Sequence, residues 1–179
     1  MMSAEAKTRG DPPDSSELAP TALHREIEEF LYREAWILDN DKLEQWLDLF
    51  SENVRYWAPV RRSLPRGRES FHDAYLTPHF DDNKAGLSLR VARSRTGLAH
   101  AEEGTRQRRF VTNILILEVE GDFVRVSSNF QVFKSRQDEQ WFVGTREDRI
   151  RRKPGGGWSI EERMIVLDHG VIGSITTYI

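Results

Sequence analysis

The sequence predicts an α+β fold, with N-terminal helices packed on a curved, mostly antiparallel sheet. Three observations carry this. Apolar residues recur at helical spacing from Leu23 to Val91, and at a period of two from Thr105 onward. Helices followed by a strand meander make α+β the fitting class. The chain has 179 residues, 38% of them apolar, which is enough for one domain with its own core.

Residues 1–20 are rich in Ser, Asp, Glu and Pro and lack periodicity, so a flexible N-terminal arm is expected, with a single domain over 21–179. A helix follows over Thr21–Leu38, with Thr21 as a plausible cap. Its residues Leu23, Ile27, Phe30, Leu31, Ile37 and Leu38 share one face. Tyr32 and Trp36 stand off that stripe and call for a second covered surface. Asp41-x-x-Glu44 reads as the capping start of a second helix whose Leu43, Trp46, Leu47 and Phe50 form a stripe. Val54–Val60 is strand-like and stops near Pro59. Ser63–Arg68 reads as a loop, and Phe71–Pro78 fits neither period. A third helix spans Asp81–Ser94, capped by Asp81 or Asp82 and closed by Gly97.

Four strands then follow. Phe110–Val119 is apolar and β-branched, and Glu120-Gly121-Asp122 is a hairpin turn. In Phe123–Lys134 the residues Val124, Val126, Phe130 and Val132 face one way. After a turn at Gln137–Gln140 comes Trp141–Arg152, then a glycine-rich turn at Lys153–Gly157. Trp158–Leu167 alternates Trp158, Ile160, Met164 and Val166 on one face. Val171–Ile179 is again rich in β-formers.

Composition removes several functions. Net charge is −3, so no global basic field exists to hold a nucleic acid. No apolar run approaches the length of a membrane span, and no signal peptide opens the chain, so a cytoplasmic protein is expected. Cysteine is absent, which excludes disulfides, a thiol nucleophile and thiolate metal sites on this chain. Charge is nonetheless segregated. Glu26–Glu52 carries nine acids against Arg33 and Lys42, whereas Val54–Arg68 has five arginines and no acid. Only five of the 26 basic residues are lysine, and arginine's planar fork favours interfaces and bidentate carboxylate pairs.

Individual residues offer little chemistry. His72-Asp73 and His79 supply two imidazoles and a carboxylate, but Pro78 pushes its neighbour out of helical geometry, so surface histidines are expected and no metal site. Gly155-Gly156-Gly157 precedes no helix and is a turn rather than a phosphate loop. Glu34 breaks its pattern, falling within the apolar stripe beside Ile27, Phe30 and Leu38. A carboxylate there must be paired or protonated. It is either a structural ion pair, with Arg146 or Arg163 as partner, or an interior general base.

Several segments resemble a known family. They are Phe30-Leu31-Tyr32-Arg33-Glu34-Ala35, Trp46-Leu47-x-Leu49-Phe50 and Val54-x-Tyr56-Trp57-x-Pro59. Further on come His79-Phe80-Asp81-Asp82-Asn83, Arg90-Val91-x-Arg93, Ala99-x-Ala101-Glu102, Arg106-x-Arg108-x-Phe110-Val111-x-Asn113 and Arg146-Glu147-Asp148. From about residue 23 onward the chain resembles the small (β) subunit of bacterial aromatic-ring-hydroxylating Rieske dioxygenases, in the style of the biphenyl, benzene and polycyclic-arene enzymes. It departs at His100, where the family has Trp, and at Gly104-Thr105, where the family has Pro-Pro.

The resemblance implies a nuclear-transport-factor-like, ketosteroid-isomerase-like cone, and a non-catalytic role in an assembly of three large and three small subunits that also receives electrons from a ferredoxin. It places the Rieske 2Fe-2S cluster, the mononuclear non-haem iron and the arene pocket on the large subunit. The implied reaction takes an arene and O₂ to a cis-dihydrodiol. Tyr32, Trp36 and Trp57 are candidate contacts with other subunits, as are Arg61, Arg62, Arg106 and Arg108. The alternative is a stand-alone isomerase or dehydratase on the same cone, with Glu34 or a histidine as general base.

Overall fold

The computed structural model describes residues 21–60, 78–96, 105–135, 138–169, 175 and 177–179. The expected arm, the loop Ser63–Arg68, the Gly97 stop and all of Phe71–Pro78 but its last residue lie outside them. Three helices, α1 (Thr21–Asp39), α2 (Leu43–Leu47) and α3 (Lys84–Arg95), pack on a six-stranded sheet. Its strands are β1 (Phe50–Pro59), β2 (Pro78–Asp82), β3 (Arg106–Glu120), β4 (Phe123–Ser135), β5 (Glu139–Arg152) and β6 (Trp158–Leu167). The order across the sheet is β2-β1-β6-β5-β4-β3; only β1 and β6 run parallel. The predicted α+β cone is therefore the observed architecture.

Helix α1 forms because its apolar residues fall on one side. Ile27, Leu31, Ile37 and Leu38 are buried, each stabilising the fold by roughly 1.5–3 kcal/mol relative to exposure. The helix crosses β3, α3 lies against β1, and α2 bridges α1 and α3. Lys84 ties these together by donating to the Leu47 and Phe50 carbonyls at 2.5 and 2.8 Å, capping the end of α2.

Four expectations need correction. Asp41 does not cap α2. It adopts φ 54° and closes α1, with the Lys42 amide reaching back to the Ile37 carbonyl (3.0 Å) and the Asp41 amide to Leu38 (3.2 Å). That is the left-handed Schellman ending, and it leaves Lys42 at the start of α2 without a side-chain cap. Phe50 belongs to β1 rather than to the second helix. Helix α3 is capped by Asn83, whose side chain accepts from the Gly86 amide, because Asp81 and Asp82 already sit in β2 paired with β1.

The fourth correction lies in β6. Arg149 pairs with Glu162 but Ile150 pairs with Ile160, so Glu161 is an extra, bulged residue. The bulge reverses the alternation beyond it. Arg163, Ile165 and Leu167 turn into the core in place of Met164 and Val166; Met164 is half-buried, and Val166 is buried apart from the core cluster. Of the final β-rich stretch, Ile175 and Thr177–Ile179 are described and none is strand.

Candidate functional site

The polar centre of the cone is built from α1, β5 and β6. The alternation of β5 turns Phe142, Gly144, Arg146, Asp148 and Ile150 inward, and the β6 bulge adds Arg163. Glu34 descends from α1 to meet them and is 1% exposed. The Arg163 guanidinium donates to both Glu34 oxygens, from Nη1 to Oε1 and from Nη2 to Oε2 (2.9 Å). Its Nε and Nη2 also donate to Asp148 at 2.6 and 3.0 Å. Trp46 Nε1 donates to Glu34 Oε1 at 3.0 Å. Arg146 lies 3.3 Å from Glu34 and 3.6 Å from Asp148, and its Nε donates to Ser128. Two buried carboxylates and two buried guanidiniums thus balance in charge.

Burial pushes the Glu34 pKa upward. The Arg163 and Arg146 charges, with hydrogen bonds from Arg163 and Trp46, outweigh it and hold the carboxyl down at about 2. Burial likewise works against the Arg163 charge, but Asp148 and Glu34 hold its pKa above the ordinary value. Arg146 moves the other way, lowered by burial and by the neighbouring Arg163 charge. A general base works best with a pKa near the operating pH and a free lone pair facing substrate. Glu34 has the opposite properties: it is ionised far below neutrality and engaged by Arg163 and Trp46. The space beside it, between Leu38, Val111, Phe130 and Ile179, is a cavity of about 10 Å³, the size of one water at most.

A second buried pair stands nearby. Arg109 Nη1 donates to Asp39 at 3.0 Å, while its Nε and Nη2 donate to the Tyr178 carbonyl. Tyr56 is fully buried, donates to the Ile179 carbonyl, and has its pKa raised to about 12, chiefly by burial.

The candidate contact residues fall into two groups. Tyr32 and Trp36 are 49% and 53% exposed on α1, and Lys42 sits over the Trp36 ring at 4.3 Å. Arg106 and Arg108 are exposed on β3, the strand α1 crosses, and Arg108 reaches Asp39 at 3.4 Å. Trp57 is half-buried on β1 under Arg55, separated from that group by β6, β5 and β4. Arg61, Arg62 and His72 lie outside the described residues. His79 is exposed, and among the described residues no three His, Asp or Glu side chains gather as a metal set.

Sequence reasoning missed Asp148, Asp39, Arg109, Tyr56 and Ile179 as parts of the interior. A signal existed for Asp148 and Arg146, since both share the parity of Phe142 and Ile150. Nothing local marks Ile179, whose burial is a tertiary fact.

Comparison with known proteins agrees with this geometry. The beta subunit of the 3-phenylpropionate/cinnamic acid dioxygenase of Photorhabdus laumondii subsp. laumondii is 38% identical over 156 residues, 84% of this chain and 87% of that protein. A chain of naphthalene 1,2-dioxygenase, solved with indole in its active site, superposes with TM-score 0.78 at 20% identity, covering 87% of this chain and 84% of the other. The beta subunit of benzoate 1,2-dioxygenase from Burkholderia mallei superposes with TM-score 0.63 at 26% identity, over 79% of this chain and 88% of that one. The family model for the ring hydroxylating beta subunit matches residues 33–174. With most of its length matched and its cone shared, the chain belongs to the ring-hydroxylating dioxygenase beta subunit family.

Proposed function

We propose that this chain is the structural small subunit of a terminal oxygenase that converts an arene and O₂ to a cis-dihydrodiol. Its partner is a large subunit, in an assembly of three large and three small chains fed by a ferredoxin. The observation that carries a non-catalytic role is the ion-paired centre of the described interior. Among the described residues, Glu34, Asp148, Arg146 and Arg163 neutralise one another at the centre of the cone, and the cavity beside Glu34 is about 10 Å³. The Rieske cluster and the mononuclear iron are assigned to the large subunit. A Rieske centre needs two thiolates and two imidazoles, and this chain has no cysteine. The docking surface we propose includes the α1 face with Tyr32 and Trp36, continued by Arg106 and Arg108 on β3.

Co-expression with the large subunit tests this. The two chains should elute together from gel filtration in equal numbers, and this chain purified alone should be colourless and free of iron. A monomer of this chain beside a fully active large subunit would refute the reading. The stand-alone isomerase or dehydratase alternative would need turnover by this chain alone, lost in Glu34→Gln.

A further inference from the structure

Thr177–Ile179 enter the interior and make contacts of the kind a bound peptide makes. Ile179 is 1% exposed, with its amide donating to Tyr56 Oη (3.1 Å) and its carbonyl accepting from Tyr56 Oη (2.9 Å) and Arg163 Nη1 (3.2 Å). The Tyr178 carbonyl accepts from Arg109 Nε and Nη2 at 3.0 and 2.9 Å, and its ring lies 4.9 Å from that of Trp46. Thr177 Oγ1 donates to Gln107 Oε1 at 2.7 Å and accepts from Arg109 Nη2 at 3.1 Å. Each of these anchors comes from elsewhere in the fold: α2, β1, β3 and β6 supply them. The small cavity beside Ile179 is lined by Glu34, Arg109 and Arg146, where Arg146 Nη2 is ion-paired with Glu34 Oε2 at 3.3 Å but makes no hydrogen bond.

We infer that the cone retains a peptide-binding site whose resident ligand is this chain's own Thr177–Ile179, a segment that can be removed and replaced in trans. The site selects an extended peptide with carbonyl acceptors for Arg109 and Arg163, an aromatic side chain for Trp46 and a buried aliphatic side chain after it. The binding is read on the isolated chain, so failure of subunit assembly would leave it unaffected.

The experiment uses a chain ending at residue 176 and the acetylated tripeptide Thr-Tyr-Ile. The peptide should raise the melting temperature saturably, and the reversed peptide Ile-Tyr-Thr should not. Tyr56→Phe in the shortened chain removes two hydrogen bonds to the ligand and should weaken binding by roughly tenfold or more. A second variant covers the case in which the shortened chain does not fold. Ile179→Lys in the full chain sets a cation against Arg163 and Arg146, expelling the segment while the sheet stays protected from hydrogen exchange, and the peptide should then bind. Equal responses to both peptides would overturn the inference. So would two variants that stay unfolded with and without peptide, since the segment would then be integral to the core.

Discussion

Asp148 takes the Nε/Nη2 edge of the Arg163 guanidinium and leaves the Nη1/Nη2 edge to Glu34. One side chain thus joins α1 to β5 through β6, and without it the two buried carboxylates would face Arg146 alone. Breaking a buried pair by removing one partner costs about 3–5 kcal/mol, because the survivor is left uncompensated. Glu34→Ala should lower stability by that order while turnover per assembled complex stays near wild type. Urea unfolding alongside the specific activity of purified complex reads both. A stable, fully assembled mutant that has lost turnover would move Glu34 into the chemistry.

The same pair sets an acid limit. Glu34 titrates near 4.5 unfolded and near 2 folded, so its contribution is complete above about pH 4.5. It is lost as the pH falls from there through 2. Urea midpoints measured from pH 6 to pH 2 should fall more steeply for wild type than for Glu34→Gln. Parallel curves would show that Glu34 is not the residue responsible.

Gly144 has a steric reason to be glycine. A Cβ there would lie 2.1 Å from the Val166 carbonyl oxygen on the adjoining strand, and backbone cannot swing aside as a side chain can. Gly144→Ala should destabilise by at least the ~1–3 kcal/mol typical of overpacking, and should shift amide signals along β5 and β6. A thermal midpoint within a degree of wild type would contradict this.

Asn113 holds φ 52° where β3 slips register against β4 between Thr112 and Leu115. Its side chain is exposed, so the backbone decides the outcome. Asn113→Val should cost about 1–2 kcal/mol, the penalty for left-handed backbone in an L-residue, and Asn113→Gly should be near neutral. Equal stability of the two variants would show that the bulge has relaxed.

Trp36 is tested on the surface. Trp36→Ala removes an aromatic that is 53% exposed and should leave the isolated chain within about 0.5 kcal/mol of wild type. Retention of the large subunit on an affinity-tagged small subunit should drop by tenfold or more if this ring is an anchor of the interface. Undiminished retention would send the docking surface elsewhere, with Trp57 the next residue to test.

Periodicity alone locates α1 and the four strands of the meander, because each has one wet and one dry side. It misplaces side chains wherever the backbone departs from regularity. Asp41 looks like a cap because capping and left-handed endings use the same short polar residues. Met164 and Val166 look inward because a one-residue bulge at Glu161 leaves no mark in an alternating sequence. Glu34 is conspicuous as a charge within an apolar stripe, and that anomaly points to the interior. Its partners come from β5 and β6, and the bulge that delivers Arg163 is invisible before the strands are paired.

The parallel pairing of β1 with β6 has a consequence in time. Strands β3 to β6 can close hairpin by hairpin, each on the one before, whereas β1 has only the short β2 close by in sequence and waits for β6, made more than half a chain later. Until then Val54, Tyr56 and Ala58 have no interior to enter, and Glu34 has no guanidinium. Arg163 would thus mark the late step of folding as well as the centre of the folded core. Substitutions in the β4–β5 hairpin should slow folding, and Glu34→Gln should chiefly speed unfolding. Stopped-flow rates showing the reverse partition would place the nucleus at β1 instead.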